Sequence, residues 1–411
     1  MTAIKRKGLL LIGDGMSDRP IESLGGKTPL EAAIAPHMDR LAREGECGLM
    51  DPISPGIRVG SDTGHLALLG YDARAVYTGR GPFEALGIGL DVKGGDVAFR
   101  CNFSTIDENG IVIDRRAGRI EEGTAELAAA MDGLTIEGVE CFFKESVAHR
   151  GALALRGEGL SPAVSDADPH QEGLAVSSCE PLAPGADKTA RVINAFVQAS
   201  IERLRDHPVN RKRIEAGLRP ANVILPRGAG VAPSIQDFGQ LHGVKAAAVV
   251  ETGLIRGIAR FVGMETYHAP GTTGGLDSDL MSMATAVNDA LDRHDFVLCN
   301  VKGPDLCGHD NQPEKKVEMI ERMDAMLKAI MERSKGRIYI CLTADHSTPC
   351  SVGDHSGDPV AFALWGPDLR GDDCTAYHER ACAKGSIGRI RGADIVPMMM
   401  QLMGFAEKFG A

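Results

Sequence analysis

Gly8-Leu9-Leu10-Leu11-Ile12-Gly13-Asp14-Gly15 decides how the rest of the chain is read. Residues 8–12 are an apolar run without polar alternation, the pattern of a strand buried on both faces in a parallel sheet. The run ends in Gly-Asp-Gly, and in open α/β sheets the loops beyond the carboxyl ends of strands hold ligands. Outward from it, helical patterning over 28–44, with Pro29 and Pro36 near helix starts, is followed by a strand at 223–225. A strand at 246–250 then precedes a helix at 253–262, a strand at 296–301 precedes a helix at 314–332, and 337–343 closes the series. Strands alternating with helices predict an α/β fold, a mostly parallel sheet flanked by helices.

Between 106 and 220 the texture changes. Short strand candidates at 111–113 and 151–155 stand beside a long polar helix at 188–205. This reads as a smaller inserted α+β domain, 106–220, with 1–105 and 221–411 forming a discontinuous core; the other reading is one large continuous domain. The 411 residues, 43% hydrophobic and 25% charged, have the profile of a globular protein with more than one domain. A net charge of −11 without a long basic block argues against nucleic acid. No run of about 18 apolar residues and no signal-peptide pattern occur, so a cytoplasmic protein without a membrane segment is expected. Ten cysteines are too dispersed for a CxxC pair or a disulfide framework and read as mostly reduced.

Six potential metal ligands follow strand ends: Asp14, then Asp305 and His309 after FVLCNV, then Asp345 and His346 after RIYICLTA, and His355 nine residues later. One such residue in a loop is ordinarily a cap or a solvated side chain. Six on one rim make two metals the better reading, and mixed Asp and His ligation suits Mn²⁺, Zn²⁺ or Co²⁺, with Mg²⁺ tolerated by a carboxylate-rich half. His37, His207, His242, His268, His294 and His378 have no discernible partners and are assigned no role.

Val59-Gly60-Ser61-Asp62-Thr63-Gly64-His65 places a serine in a Gly-flanked turn before an apolar run, the pattern of a helix N-terminus. On the turn alone Ser61 reads as an N-cap. Beside metals, a serine hydroxyl becomes an activated nucleophile, and a helix N-terminus favours the phosphoryl anion it would carry.

GDGMSD at 13–18, SDTGH at 61–65, YTGRGPFEALG at 77–87, KGPDLCGHD at 302–310 and TADHSTPCSVGDHSGDPV at 343–360 resemble the archaeal-type 2,3-bisphosphoglycerate-independent phosphoglycerate mutases of the alkaline phosphatase superfamily. The resemblance continues through CNFST at 101–105, DRRAGRI at 114–120, HRGALALRG at 149–157, SDADPH at 165–170 and NVILPRGAG at 222–230. It implies an alkaline-phosphatase-like core in which Asp14, Ser61, Asp345 and His346 hold one divalent metal and Asp305, His309 and His355 a second. Mn²⁺ is the foremost ion, and no 2,3-bisphosphoglycerate is needed. His65 is expected to orient its turn and Cys307 to point away from the metals.

The implied reaction is the interconversion of 3-phosphoglycerate and 2-phosphoglycerate in glycolysis and gluconeogenesis: Ser61 takes the phosphoryl group and returns it to the other hydroxyl of glycerate. The insert would act as a substrate-binding lid that excludes water. Arg119, Arg150 and Arg227, with Arg116 and Arg256 after them, are candidates for the carboxylate and phosphate, because guanidinium forks match both anions. Asp168 and His170 are candidates to orient glycerate or move protons, or simply to form an acidic turn closed by Pro169. The competing readings are a metal-dependent phosphatase or another phosphomutase of the superfamily, and a non-catalytic metal-binding protein on the same scaffold. A kinase reading has no GxxxxGK[ST] loop to support it.

Overall fold

The computed structural model describes residues 6–232, 235–335, 337–408 and 410. Its strands, in chain order, are β1 (Lys7–Gly13), β2 (Glu46–Asp51), β3 (Val97–Ile106), β4 (Val112–Asp114), β5 (Leu134–Ile136), β6 (Val139–Glu145), β7 (Arg150–Arg156), β8 (Val223–Val231), β9 (Ala246–Val250), β10 (Glu265–Tyr267), β11 (Phe296–Val301), β12 (Ile338–Thr343), β13 (Val360–Trp365) and β14 (Gly388–Arg391). The chain forms two compact units, Met1–Val76 with Gln236–Ala411, and Tyr77–Ile235.

The first unit is an α/β layer structure around an eight-stranded sheet ordered β10-β9-β11-β1-β12-β13-β2-β14. Only β13 runs against its neighbours; the other pairings are parallel. β1 lies near the middle, and Gly8 to Gly13 are all buried. Strand side positions alternate, so Gly8 and Gly13, five apart, point to opposite faces. A Cβ at Gly8 would meet Met403 and Met399 of the helix Ile395–Met403, whereas one at Gly13 would meet Met16 and also Met323 of the helix Pro313–Ser334. Helices therefore cover both faces, which explains why the strand is apolar throughout rather than alternating. The helical pattern over 28–44 is two helices, Pro29–Ala32 and Pro36–Glu44. Pro36 disfavours helical backbone at the residue before it, and Thr28 starts the first helix through a reciprocal capping box with Glu31.

The second unit has an antiparallel sheet ordered β4-β3-β7-β6-β5, with β8 also paired to β3. On one face Val97, Phe99, Cys101 and Phe103 of β3 join a core that includes Val192, Ile193 and Phe196 of the helix Asp187–Leu204. On the other, Ala98, Ala152 and Ala154 pack with Ala85 of the helix Gly81–Gly87. The expected insert, 106–220, begins and ends inside this unit. The physical reason is pairing: β3 runs antiparallel to β8 from Val97 opposite Val231 to Ser104 opposite Val223, so both strands belong to this sheet. The unit's first residues also fasten to its last strand, where the Thr78 hydroxyl donates to the Val231 carbonyl.

Candidate functional site

Strand register builds the site in the first unit. Gly13 of β1 is level with Val301 of β11, and Ile12 is level with Thr343 of β12. The residues that follow, Asp14, Lys302 and the Ala344-Asp345-His346 turn, leave one rim together. Asp305 and His309 lie four apart on the helix Gly303–His309, the spacing that puts two side chains on one face. Gly15 has φ of +57°, and a Cβ there would fall 2.4 Å from Thr348 Oγ1 and 2.7 Å from Asp305 Oδ1, so Gly-Asp-Gly is the turn that lets these loops close.

Two adjacent groups of ligating atoms result: Asp14, Asp345 and His346, and Asp305, His346 and His355. In the first, His346 Nε2 lies 3.6 Å from Asp14 Oδ1 and 3.3 Å from Asp345 Oδ2. In the second, Asp305 Oδ1 lies 3.5 Å from His355 Nε2; His309, outside the group, brings its Nε2 to 3.4 Å from the same oxygen. His346 stands between the two, its ring stacked on that of His355 with centroids 3.7 Å apart. Ser61 opens the helix Ser61–Leu68; Gly60 is the N-cap, and no side chain makes a capping hydrogen bond. The serine is thus not an N-cap: its Oγ is 3.1 Å from His346 Nε2 and 3.4 Å from Asp14 Oδ1.

The donor set fits divalent cations. Metal–ligand bonds of about 2.0–2.2 Å place neighbouring ligand atoms roughly 3–3.5 Å apart, close to the separations here. The rings are held with Nε2 inward. His355 Nδ1 faces the Val59 carbonyl at 2.7 Å and His309 Nδ1 the Gly353 carbonyl at 3.0 Å, so each Nδ1 is the donor and Nε2 keeps its lone pair. For His346 the same job falls to Thr348, whose hydroxyl donates to Asp305 Oδ1 at 2.7 Å and can accept from His346 Nδ1 at 3.1 Å. Buried Asp345 Oδ2 has no hydrogen-bond partner.

Electrostatics point the same way. Asp14, Asp305 and Asp345 are at most 1% exposed, and the ammonium of Lys302 bridges Asp14 Oδ1 at 2.9 Å and Asp305 Oδ2 at 2.6 Å. Uncompensated buried carboxylates cost several kcal/mol each, and one lysine does not balance three. Burial, then the Asp345 carboxylate, raises Asp14 above the usual carboxylate range. Burial opposes the charged form of Lys302, but Asp14 and Asp305 outweigh it and raise its pKa. Burial also opposes charge on Asp305 and Asp345, yet His355 and Lys302 for the former, and His346 and His65 for the latter, hold them below it. His65 is buried, 2.7 Å through Nδ1 from the Ser61 carbonyl and 3.3 Å from Asp345 Oδ2, and so braces the serine's helix. Cys307 is buried and belongs to neither group.

In the second unit, arginines gather around His149. Burial and then Arg150, Arg116, Arg119 and Arg227 push its pKa down to about 4, and its buried Nδ1 has no hydrogen-bond partner. Arg116, Arg119 and Arg150 are exposed, and none forms an ion pair among the described residues. Asp168 is buried and committed: Arg115 grips it at 2.9 and 2.6 Å, and Arg227 Nε lies 3.6 Å away. His170, at φ of +62°, is turned to Asp166 at 2.9 Å. Arg256 lies in the first unit, on the helix Gly253–Phe261, its guanidinium 3.4 Å from the Glu251 carbonyl.

Sequence reading passed over Lys302, Thr348, Asn300 and His149. Asn300 donates to Asp14 Oδ2 at 3.1 Å. The signal available for Lys302 was its place directly after a strand, three residues before Asp305.

A mostly parallel sheet with a buried serine beside two adjacent Asp/His groups at its carboxyl rim is an arrangement that can hold divalent ions and offer a hydroxyl nucleophile to a phosphoryl group. A family model described as 2,3-bisphosphoglycerate-independent phosphoglycerate mutase matches residues 42–210. A protein of that description from Methanothermobacter thermautotrophicus is 54% identical, the match covering 98% of this chain and all of the relative; one from Methanocaldococcus jannaschii is 50% identical over 99% and 100%. Among solved structures, the PH0037 protein from Pyrococcus horikoshii superposes with a TM-score of 0.86 at 40% identity over both whole chains. A cofactor-independent phosphoglycerate mutase from Thermoplasma acidophilum gives 0.77 at 36%, covering 97% of this chain and 100% of that one. The chain belongs to the 2,3-bisphosphoglycerate-independent phosphoglycerate mutase family.

Proposed function

We propose that this chain interconverts 3-phosphoglycerate and 2-phosphoglycerate by passing the phosphoryl group through Ser61, with no bisphosphoglycerate. The observation that carries the reading is the Ser61 hydroxyl itself, buried at a helix N-terminus, free of a capping role and within 3.4 Å of Asp14 and His346. Asp14, Ser61, Asp345 and His346 would hold one divalent ion, and Asp305, His309 and His355 a second, with Mn²⁺ the first choice for this mixed donor set. Such ions neutralise phosphoryl oxygens and make a hydroxyl a better nucleophile.

Ser61 Oγ loses its proton and attacks phosphorus, the bond from phosphorus to the substrate oxygen breaks, that oxygen takes up a proton, and glycerate is left with two free hydroxyls. The other hydroxyl then attacks phosphorus, Ser61 Oγ leaves, and the position isomer forms. Lys302 supplies positive charge beside Asp14 and Asp305 throughout. Arg116, Arg119, Arg150 and Arg227 offer guanidinium forks to a carboxylate or phosphate, and Asp168 fixes the Arg115 and Arg227 side chains rather than moving a proton. A cytoplasmic setting suits ten cysteines of which none is in a disulfide.

The test is isomerisation of 3-phosphoglycerate by metal-stripped protein with Mn²⁺, Co²⁺, Zn²⁺ or Mg²⁺ restored, alongside Ser61→Ala. Metal-dependent isomerisation that Ser61→Ala abolishes is expected. Release of inorganic phosphate alone would instead identify a phosphatase.

A further inference from the structure

Three cysteines remote in sequence meet in the first unit, away from the serine. Cys47 lies on β2, Cys374 in the connection from β13 to β14, and Cys382 ends the short helix Glu379–Cys382. Their Sγ atoms all lie within 4.8 Å of one another, none of the three is more than 4% exposed, and none is in a disulfide. The neighbourhood is built to hold them there. Asp372 accepts from the backbone N–H of Cys47 at 2.7 Å, of Cys374 at 2.8 Å and of Ser386 at 2.9 Å, and Ile387 N–H donates to the Cys47 carbonyl at 3.1 Å. Tyr377, also buried, spends its hydroxyl on the Leu342 and Ala361 carbonyls. No imidazole or carboxylate joins the group among the described residues.

We infer that Cys47, Cys374 and Cys382 form a closed three-thiolate site for one thiophilic d¹⁰ cation, Zn²⁺ or Cu⁺, distinct from the hard-donor ions at the rim. Zinc–sulfur bonds of about 2.3 Å set the sulfurs of one ion roughly 3.8 Å apart, inside the span found here. A disulfide joins only two sulfurs, at about 2.05 Å, and would leave the third thiol buried without purpose. All-sulfur ligation selects soft cations, whereas the carboxylates and imidazoles of the rim suit harder ones, so the two places sort metals by donor type. On binding, each thiol releases one proton to solvent and three sulfur–metal bonds form. The ion would tie the connection 366–387 to β2, the strand next to the edge strand β14.

The test is titration of reduced, metal-stripped full-length protein with Cd²⁺, followed by the ultraviolet thiolate-to-cadmium charge-transfer band and by cadmium NMR, with Zn²⁺ and Cu⁺ as competitors. One equivalent in an all-sulfur environment is expected, retained in Asp345→Asn and lost in Cys374→Ser. Displacement by Zn²⁺ or by Cu⁺ identifies which ion the site prefers. Should Cys374→Ser not fold, the NMR shift of the wild-type complex still decides the matter. Absence of any all-sulfur cadmium signal, a band that survives Cys374→Ser in folded protein, or an alkylation mass showing a disulfide among the three in protein purified without air overturns the site.

Discussion

Thr348 makes the residue-scale logic concrete. Its hydroxyl links His346 Nδ1 to Asp305 Oδ1, so it joins the two ligand groups without touching either proposed ion. Thr348→Val keeps the shape and removes the link. Metal affinity is expected to fall about 10- to 100-fold, the usual cost of losing a partner behind a ligand, with the circular dichroism spectrum unchanged; metal titration checks it. His149 offers a pH test. Its pKa, about 4 against an ordinary 6.5, means the unfolded chain binds more protons between those values, so this residue lowers stability as pH falls from 6.5 towards 4 and has no further effect below. His149→Gln should flatten that part of the stability profile in urea denaturation. That Asp14, Asp305, Asp345, His346 and His355 would meet was legible in the sequence, because four of them closely follow apolar strands and the carboxyl ends of neighbouring strands share one rim. Thr348, Lys302 and His149 were not, since a threonine, lysine or half-buried histidine acquires meaning only from what it meets in space.

At the scale of elements, the helix Ser61–Leu68 must lie close to the Asp345 turn for Ser61 to reach Asp14. Gly64 permits it: a Cβ there would come 2.8 Å from the Asp345 carbonyl oxygen, a backbone atom that cannot swing away. Gly64→Ala is expected to cost about 1–3 kcal/mol, as overpacking does, and to reduce kcat by more than the stability loss explains, because it moves the nucleophile. Urea denaturation beside kcat measurement separates the two. β9 and β11 were readable to the residue, 246–250 and 296–301, and β1 and β12 to within one residue at either end, since burial on both faces leaves an unbroken apolar signal. β3 was not read as a strand: Val97–Ile106 carries Arg100, Asn102 and Ser104 between its core residues, and its partner β8 lies more than a hundred residues on.

For the whole molecule, the two units have different physical characters: a parallel sheet sheathed in helices, and an antiparallel sheet whose aromatic core includes Phe103, Phe143 and Phe196. Because the second unit begins and ends on the same strand pairing, residues 77–235 expressed alone are expected to unfold cooperatively in urea and to be catalytically inert. A fragment cut at 106 and 220 should not fold, since it loses most of β3 and all of β8. The central claim is that the phosphoryl group rests on Ser61. The most direct measurement is acid quenching of the metal-loaded enzyme during turnover of 3-phosphoglycerate, followed by mass spectrometry of its peptides. Phosphate on the peptide containing Ser61, present only with metal, is the result expected; phosphate on a histidine instead, or isomerisation persisting in Ser61→Ala, would contradict it.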